Sequence, residues 1–507
     1  MKLIEILEEF TTNMMSIGTA EAIILEVLDL HIKNQGKDFF LDFNFDGNDP
    51  KPLRLPYDGF APQGFDNFVG ATGIEIKFIR DKNTLLRTMR NLIEKSSFTK
   101  NGNPLLENVL LIVLLSLTQE EKENLTSKFN DIPFKLTIWD SNDLKNLFNK
   151  YPEKVIELEN NPSIALMNLV VKKGLNASKN NWKLQRNEHL YNLRNCFKDD
   201  ELVLFLGAGV SYDANIPTWN DLISNLMVSL LDTVIKDERF DGHFELSKTE
   251  KEALVKDIQE KNGNSPVQLV RFIRNGLGNL FREELRKTLY KKYKKSSRIL
   301  EALTDLCIPL RHGIGIQGVV TYNFDDLLEV NFKNKKVINF RPVFKEADIP
   351  SKNELGVYHV HGFLPNTPHE YGGIEDQRNS LLVFSEEEYH QLMLDPYHWA
   401  NLVQLNYFRE NTCLFIGTSM TDPNVRRLLE IARKKQPEKD KCKHYIILKH
   451  DSFSEVNRID SVDNENIDKF AMIHQQLKEA ELSELGLNVI WVDKHEDIPE
   501  LLDSLRL

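Results

Sequence analysis

The chain has 507 residues, 41% of them hydrophobic and 28% charged, and its formal net charge is −12 at pH 7. This length exceeds one ordinary core, so we expect two or three domains. The acidic balance excludes a generally basic nucleic-acid binder but leaves room for a local basic groove. The longest apolar run, residues 109–117, is about half of the ~20 residues that span a membrane. We therefore expect a soluble, cytoplasmic protein without a membrane partner.

The first part of the chain, residues 1–160, predicts one α/β domain. Amphipathic patterns over residues 3–10 and 19–32 predict two helices. Apolar segments then predict strands, and a capped segment predicts a closing helix. The strands are expected at residues 38–45, 73–79, 109–117 and 134–140, and the helix at 141–151.

Two carboxylates and a lysine in this part form a candidate metal site. Glu75 and Lys77 are two residues apart on a predicted strand, so their side chains share one face, and Asp58 precedes them. Two carboxylates suit Mg²⁺, and a lysine beside them would position a water or offset phosphate charge. The pattern resembles the D…E-x-K signature of the restriction-endonuclease-like fold, in which Glu21 is a candidate for the additional acidic residue of some members.

The resemblance implies DNA as a partner, but the charge of residues 1–160 leaves two interpretations open. Acidic side chains outnumber basic ones there, which is unfavourable for binding a phosphate backbone. A local basic groove remains available, because Lys82, Arg87 and Arg90 follow the motif. The domain is either an active nuclease or a degenerate module for recognition or assembly.

Residues 161–190 predict a connecting helix and a polar linker, and residues 191–507 predict a second α/β domain. Apolar segments spaced by helices favour a parallel, doubly wound sheet. A long polar helical segment at about 236–303 is expected as an insertion. Strands are expected at residues 202–206, 317–322, 356–362, 380–384, 412–418, 444–449 and 486–493.

Four motifs fall at or just beyond the ends of these strands, where open α/β sheets bind ligands. In the first, G-A-G-V-S at 207–211, small residues let backbone amides face a pyrophosphate. The others are T-Y-N-F-D at 321–325, H-V-H-G at 359–362, and G-T-S at 417–419 with a helix start just after it. The candidate site residues are Gly207, Ala208, Gly209, Ser211, Thr321, Asn323, Asp325, His361, Gly417, Thr418, Ser419 and Asp422.

This ordered set resembles the sirtuin (SIR2) superfamily over roughly residues 185–507. The resemblance implies a Rossmann-like domain that binds NAD⁺, with residues 207–211 along its phosphate and ribose path. It implies that Asn323 and Asp325 hold the nicotinamide ribose and carboxamide. It also implies that His361 is the general base, and that residues 417–419 contact the adenosine side.

Two departures disfavour a protein deacylase. The four cysteines lie far apart without a C-x-x-C pair, so we expect no zinc. Thr218-Trp219-Asn220 stands where deacylating sirtuins carry Asp-Phe-Arg. In addition, residues 384–392 and D-P-N at 422–424 resemble SIR2-like domains of bacterial anti-phage systems. That resemblance implies hydrolysis of NAD⁺ to nicotinamide and ADP-ribose, which depletes NAD⁺ in abortive infection.

The residue types suit this hydrolysis. Nicotinamide leaves the ribose through an oxocarbenium-like centre, much as in glycoside cleavage. A carboxylate such as Asp325 supplies the electrostatic field that stabilises positive charge on the sugar. An amide such as Asn323 orients the ribose or the attacking water, and His361 moves the proton of that water. No metal or further cofactor is required.

Two other functions and one form of control follow from the same patterns. One alternative is a Mg²⁺-dependent DNA nuclease whose SIR2-like half senses NAD⁺ or ADP-ribose. A second alternative is a NAD⁺-dependent protein deacylase. Because a toxic NAD⁺ hydrolase must be restrained, we expect a homo-oligomer or a partner protein that gates the pocket.

Overall fold

The chain divides into two compact units in the computed structural model. The first unit holds Met1–Asn181, Gln436–Cys442 and Asp451–Leu485, and the second holds Trp182–Lys435, Lys443–His450 and Gly486–Leu507. The structure describes residues 17–41, 57–79, 82–96, 99–100, 103–104, 106–129, 131–176, 181–235, 246–261, 266–310, 315–336, 338–372, 380–434, 442–451 and 464–506. The helix predicted over residues 3–10 lies outside them. No helix within these ranges is long and apolar enough to cross a membrane.

The first unit combines a sheet with helices. Its described strands are β1 (Gly59–Ala61), β2 (Thr72–Lys77), β3 (Thr99–Lys100), β4 (Asn103–Pro104), β5 (Asn108–Val113) and β6 (Lys135–Trp139). Its described helices span Ile17–Lys33, Lys82–Ser96, Gln119–Thr126, Ser141–Asn149, Pro152–Asn160, Ser163–Asn176 and Asn464–Glu484. The strand predicted at 38–45 is reduced to one bridge, Phe40 to Phe60, within its described part.

Four of these strands form a mixed sheet in the order β1-β2-β5-β6. β2, β5 and β6 are parallel, and β1 is antiparallel to β2. β5 is buried along its whole length, as expected for an apolar central strand with both faces covered. Helix Ile17–Lys33 contributes Leu28 to the core on one face, and helix Lys82–Ser96 contributes Leu85 to the core on the other.

The second unit is larger and contains the predicted doubly wound sheet. Its described strands are β7 (Leu202–Leu206), β8 (Ile316–Thr321), β9 (Phe340–Val343), β10 (Leu355–His359), β11 (Thr412–Ile416), β12 (His444–Lys449) and β13 (Leu487–Val492). Its described helices span Asn181–Lys198, Gly209–Tyr212, Trp219–Ile235, Lys248–Lys261, Pro266–Leu277, Phe281–Leu289, Arg298–Leu306, Leu327–Lys335, Glu386–Leu394, Trp399–Glu410, Pro423–Lys434 and Ile498–Ser504.

All seven strands are parallel, in the order β13-β12-β11-β7-β8-β10-β9. The chain starts at β7 in the middle, fills one side as far as β10, and then crosses to β11 on the other side. This makes β7 the point at which the winding direction reverses, and ligands bind at such points in open α/β sheets. The mixed α/β class with parallel sheets is therefore confirmed.

Two further predictions differ from the structure, and one strand was not predicted. The segment 380–384 is not a strand, because only Leu382 forms an isolated bridge, to Gly362. β9 has four residues and a proline, and its sequence gave no strand signal. The segment 161–190, expected to be a connecting helix and a polar linker, is helical over Ser163–Asn176 and again from Asn181 onward.

Candidate functional site

The carboxyl ends of β7, β8, β10 and β11 border one cavity of about 580 Å³. This volume lies within the roughly 300–1,000 Å³ typical of small-molecule sites. The cavity sits at the switch point of the sheet, where the sequence motifs predicted a ligand. Its wall is formed by Ala208, Ile216, Pro217, Trp219, Leu222, Leu289, Tyr322, Asn323, Phe324, Asp325, His361, Val383, Phe384, Ser385, Tyr389, His390, Thr421, Asp422 and Pro423.

Asn323, Asp325 and Ser211 form a hydrogen-bonded cluster at this wall. Asn323 Nδ2 donates to Ser211 Oγ at 3.2 Å, and Ser211 Oγ donates to Asp325 Oδ1 at 3.2 Å. Leu327 N donates to the same carboxylate oxygen at 3.2 Å. Burial raises the pKa of Asp325 to about 6, although the bonds from Leu327 and Ser211 oppose that shift. Ser211 therefore fixes the amide and the carboxylate relative to each other.

His361 faces the same cavity just beyond the end of β10, and its side chain is 14% exposed. Its Nε2 lies 3.5 Å from Asp422 Oδ2, and this nitrogen has no hydrogen-bond partner among the described residues. Burial lowers the pKa of His361, while the Asp422 carboxylate raises it. The lowered pKa keeps the imidazole neutral at neutral pH, which is the form of histidine that accepts a proton.

Asp422 is held in place as the cap of helix Pro423–Lys434. Its Oδ1 accepts from Asn424 N at 2.8 Å and from Val425 N at 3.0 Å, and the Tyr389 hydroxyl donates to it as well. The other oxygen, Oδ2, is the one nearest His361. Asp422 thus lies at the cavity as the neighbour of the histidine, and its contact with NAD⁺ stays a prediction.

The other histidine of the H-V-H-G motif, His359, has a structural role. Its side chain is 1% exposed, with Nδ1 3.1 Å from Asn323 O and Nε2 2.7 Å from Glu329 Oε1. A carbonyl oxygen only accepts, so Nδ1 carries the hydrogen. β10 ends at His359, so strand alternation stops there and only His361 reaches the cavity.

The glycine loop is shaped by the close approach of two backbones. A Cβ on Gly207 would lie 2.5 Å from Gly417 O, and a Cβ on Gly209 would lie 2.8 Å from Gly417 Cα. Gly209 N also donates to Gly417 O at 2.9 Å. Gly417 has a φ of 70°, whereas Gly207 and Gly209 have no positive φ. Gly207 and Gly209 are therefore required for the contact between the loops that follow β7 and β11.

Valine at Gly209 is expected to lower stability and to weaken NAD⁺ binding together. The added side chain must displace the Gly417 backbone. Such overpacking lowers the free energy of unfolding by ~1–3 kcal/mol, and the displacement also moves the glycine loop. Chemical unfolding and calorimetric titration with NAD⁺ measure the two effects. Gly209→Ala is the graded comparison, since its single Cβ meets the same Gly417 backbone without the two methyl groups of valine. An unchanged NAD⁺ affinity in Gly209→Val would reduce the loop to a packing turn.

Seven predicted contact residues do not line the cavity: Gly207, Gly209, Ser211, Thr321, Gly417, Thr418 and Ser419. Thr321 Oγ1 accepts from the backbone N–H of Asn323 at 3.1 Å and so supports the backbone at that residue. Thr418 Oγ1 accepts from Met420 N at 3.3 Å, and Ser419 Oγ is 2.9 Å from Thr421 Oγ1. Their contacts with the adenosine side of NAD⁺ stay predictions.

Sequence reasoning missed the aromatic side chains of the cavity. The Trp219 and Phe384 rings lie 4.6 Å apart between centroids, and the Tyr322 and His361 rings 5.0 Å apart. Tyr389 binds Asp422, as described above. Signals existed for three of them: Trp219 stands at a departure from the deacylase pattern, and Phe384 and Tyr389 lie within the segment 384–392 that resembled anti-phage proteins.

The candidate metal site of the first unit brings its residues together. Lys77 Nζ lies 2.7 Å from Glu75 Oε1, and Asp58 Oδ2 accepts from Ile76 N at 2.7 Å. Glu75 Oε2 is buried without a hydrogen-bond partner among the described residues. Glu21 acts on both Glu75 and Lys77 through its charge.

The electrostatics of this site favour a cation. Burial and the Asp58 carboxylate raise the pKa of Glu75 to about 8, against the opposing effect of Lys77. Burial would lower the pKa of Lys77, but Asp58 and Glu75 together raise it above its ordinary value. An unbonded buried carboxylate oxygen next to a second carboxylate fits Mg²⁺. No group of three or more His, Cys, Asp or Glu side chains suited to a metal occurs in the described part of the chain.

The second unit is thus a doubly wound α/β domain with a carboxylate, an amide and a neutral histidine around a cavity at its switch point. Comparison with known families agrees with this class, because residues 317–470 match the model of the SIR2-like domain.

Individual relatives point in the same direction. The chain is 23% identical over 310 residues to the NAD(+) hydrolase ThsA of Enterococcus faecium, covering 60% of this chain and 54% of the relative. It is 26% identical over 188 residues to ThsA of Bacillus cereus, covering 37% of this chain and 35% of the relative. It is 23% identical over 315 residues to ThsA of Cytobacillus dafuensis, covering 61% and 53%. The chain spans about half the length, or less, of these curated relatives.

Proposed function

We propose that the second unit hydrolyses NAD⁺ to nicotinamide and ADP-ribose, and that the protein depletes NAD⁺ in anti-phage defence. The observation that carries the proposal is that His361, whose buried Nε2 has no hydrogen-bond partner among the described residues, lines the same cavity as Asn323 and Asp325. The relatives named NAD(+) hydrolase support the substrate. The resemblance of residues 384–392 to anti-phage domains supports the setting.

The site residues divide the reaction between them. Asn323 orients the nicotinamide ribose or the attacking water, and the Asp325 carboxylate stabilises positive charge on the sugar as the glycosidic bond breaks. Nicotinamide leaves with the bonding electron pair and becomes neutral. The water oxygen bonds to the ribose carbon, and its proton passes to His361 and then to solvent.

The cavity wall supplies conditions that the reaction needs. Trp219, Phe384 and Leu222 give an apolar surface that excludes bulk water from part of the cavity. In such surroundings the field of Asp325 is less screened than in water. Tyr389 and the helix start at Pro423 hold Asp422, whose Oδ2 lies 3.5 Å from His361 Nε2.

One assay separates hydrolysis from deacylation. Purified full-length protein is incubated with NAD⁺ alone, with NAD⁺ and an acetyl-lysine peptide, and with NAD⁺ and DNA, and nicotinamide release is followed. Hydrolysis predicts release without peptide. Release that requires the peptide would replace the proposal with deacylation, and release that requires DNA would make DNA the trigger.

A second function is favoured for the first unit by the environment of Glu75. We propose a restriction-endonuclease-like domain in which Asp58 and Glu75 hold Mg²⁺, with Glu21 nearby. The metal would polarise a phosphate of bound DNA and lower the pKa of a water. Lys77, fixed beside Glu75, would position that water or offset phosphate charge. A degenerate module that serves recognition or assembly remains the competing form of this proposal.

Variants of the first unit separate these two forms. In a nuclease, Asp58→Ala or Lys77→Ala removes Mg²⁺-dependent DNA cleavage and spares NAD⁺ hydrolysis, since effects at independent sites add. We favour the assembly form, because the first part of the chain is acidic, and we expect wild-type cleavage near background. Plasmid nicking with and without Mg²⁺ is the measurement. Robust wild-type cleavage that disappears in Lys77→Ala would show the preference to be wrong.

Restraint of the NAD⁺ hydrolase is proposed to come from a homo-oligomer or a partner protein in the cytoplasm. Deleting residues 1–160 should then change when hydrolysis starts, through the oligomeric state or the response to a trigger. Light scattering and nicotinamide release, measured on the same samples, report both properties.

A further inference from the structure

A second cavity, of about 590 Å³, lies in the same unit as the candidate active site. The two cavities have helix Glu386–Leu394 in common: Tyr389 and His390 line the first, whereas Glu388 and Gln391 line the second. The wall of the second cavity is formed by Arg274, Arg282, Phe344, Lys345, Glu346, Ala347, Ser380, Leu381, Leu382, Glu388, Gln391, His398 and Trp399.

Three cationic side chains, Arg274, Arg282 and Lys345, line this wall together with two carboxylates, Glu346 and Glu388, of which Glu388 is paired with Arg274. Arg282 is fixed there, since its Nη2 donates to Ser380 O at 2.7 Å and its Nη1 to Ser380 Oγ at 3.4 Å. Burial and the like charges of Arg274 and Arg286 lower the pKa of Arg282 to about 10. Like charges gathered at a half-buried wall destabilise the folded protein, and a concave wall focuses their field on an anion.

The ligand class follows from these groups and from the volume. Guanidinium groups bind phosphate oxygens through paired hydrogen bonds, and Lys345 adds a point charge. The cavity is about as large as the first one, which we assign to a dinucleotide. It therefore has room for a nucleoside diphosphate.

Arg274 connects this cavity to the catalytic histidine. It forms an ion pair with Glu388 and donates to Ser385 Oγ at 3.3 Å, which ties helix Pro266–Leu277 to the start of helix Glu386–Leu394. Glu388 Oε2 accepts from Ser385 N at 2.8 Å in the capping box of that helix.

The next residue of the same helix completes the connection. The hydroxyl of Tyr389 donates to Asp422 Oδ1, and Asp422 Oδ2 is the oxygen nearest His361 Nε2. An anion that competes with Glu388 for Arg274 would therefore loosen the start of the helix and shift Tyr389. Asp422 and His361 would lose their arrangement as a result.

We propose that the second cavity binds a small molecule carrying phosphate groups, of the size of a nucleoside diphosphate, and that its binding slows NAD⁺ hydrolysis in the first cavity. The effect on rate rests on the proposed function, whereas the binding does not. Arg282 and Lys345 hold the ligand, and Arg274 transmits its presence.

Binding is tested by calorimetric titration of the full-length protein with ADP and, separately, with pyrophosphate. Arg282→Gln and Lys345→Gln are each expected to weaken binding by ~10-fold or more, as for loss of a charge-assisted contact. Lys287→Gln is the matched control, because Lys287 lies on the same helix as Arg282 and is 60% exposed. Binding of both probes assigns recognition to phosphate, and binding of ADP alone assigns it to the nucleotide.

The link to catalysis is tested by nicotinamide release with and without ADP. Inhibition should disappear in Arg282→Gln, and Arg274→Gln should lower the basal rate and respond less to ADP. Arg271→Gln is its control, since Arg271 pairs with Glu387 on the same two helices at 61% exposure.

Two results would overturn the inference. One is the absence of binding by either probe at millimolar concentration. The other is binding and inhibition that Arg282→Gln and Lys345→Gln leave unchanged, which would place the probe in the first cavity. Binding that depends on Arg282 in a protein that never releases nicotinamide would support the site and contradict the proposed function instead.

Discussion

Replacing His361 or Asn323 by alanine is expected to lower the rate of NAD⁺ hydrolysis by ~100-fold or more, as for loss of a general base or an orienting group. His361 lines the cavity, and its Nε2 has no hydrogen-bond partner among the described residues. Asn323 is fixed by the bond from its side chain to Ser211 and by the contact of its backbone oxygen with His359. Initial rates of nicotinamide release measure the effect. Calorimetric titration with NAD⁺ should show that binding is largely retained.

Matched controls separate catalysis from folding in this experiment. His369→Ala and Asn353→Ala remove the same side-chain types from exposed positions, and we expect the wild-type rate in both. Full hydrolysis by His361→Ala or by Asn323→Ala would contradict the assignment of that residue.

The pH dependence of the wild-type rate follows from the same site. Asp325 must be ionised to stabilise the sugar, and burial raises its pKa to about 6. The rate should therefore fall as the pH falls through about 6, before most of His361 is protonated, because burial lowers the pKa of the histidine. Asp325→Asn should abolish activity at every pH, and an active, pH-independent Asp325→Asn would exclude this role.

Replacing Glu329 by alanine is expected to lower the free energy of unfolding by ~3–5 kcal/mol, as for breaking a buried pair by removing one partner. Glu329 and His359 are each 1% exposed, and their side chains meet at 2.7 Å. Loss of the carboxylate leaves His359 Nε2 buried without its partner. Because His359 Nδ1 contacts Asn323 O, the hydrolysis rate should fall together with stability.

Chemical unfolding of the full-length protein measures this loss. Glu370→Ala is the control, since Glu370 pairs with Lys333 at an exposed position, where such pairs contribute ~0–1 kcal/mol. Glu329→Gln keeps the shape and one acceptor, so we expect it to recover part of the stability. A loss in Glu329→Ala no larger than in Glu370→Ala would show that the buried pair contributes little.

The parts of the site that the sequence predicted are those carried by strand ends. A buried apolar run followed by polar residues marks the edge of a parallel sheet. For that reason Asn323, Asp325 and His361 could be placed together before the structure was known, and all three line the cavity. The direction in which each histidine of the H-V-H-G motif points was harder to predict. His359 and His361 have the spacing of two residues on one strand face, but β10 ends at His359, so the alternation does not extend to His361.

What could not be predicted depends on contacts between segments far apart in sequence. Tyr389 acts through Asp422, 33 residues away, and no local pattern announces that pairing. The requirement for glycine at Gly209 comes from the backbone of Gly417, which follows the neighbouring strand β11. Helix Asn464–Glu484 packs within the first unit although it lies between β12 and β13 of the second, since sequence order does not determine which core a helix joins.

The central claim is that this cavity hydrolyses NAD⁺ by itself. The most direct measurement is quantification of nicotinamide and free ADP-ribose over time, from NAD⁺ and purified full-length protein across a range of protein concentrations. We predict equimolar release of both products, with His361→Ala at background. Intact NAD⁺ at every protein concentration, or nicotinamide without free ADP-ribose, would contradict it.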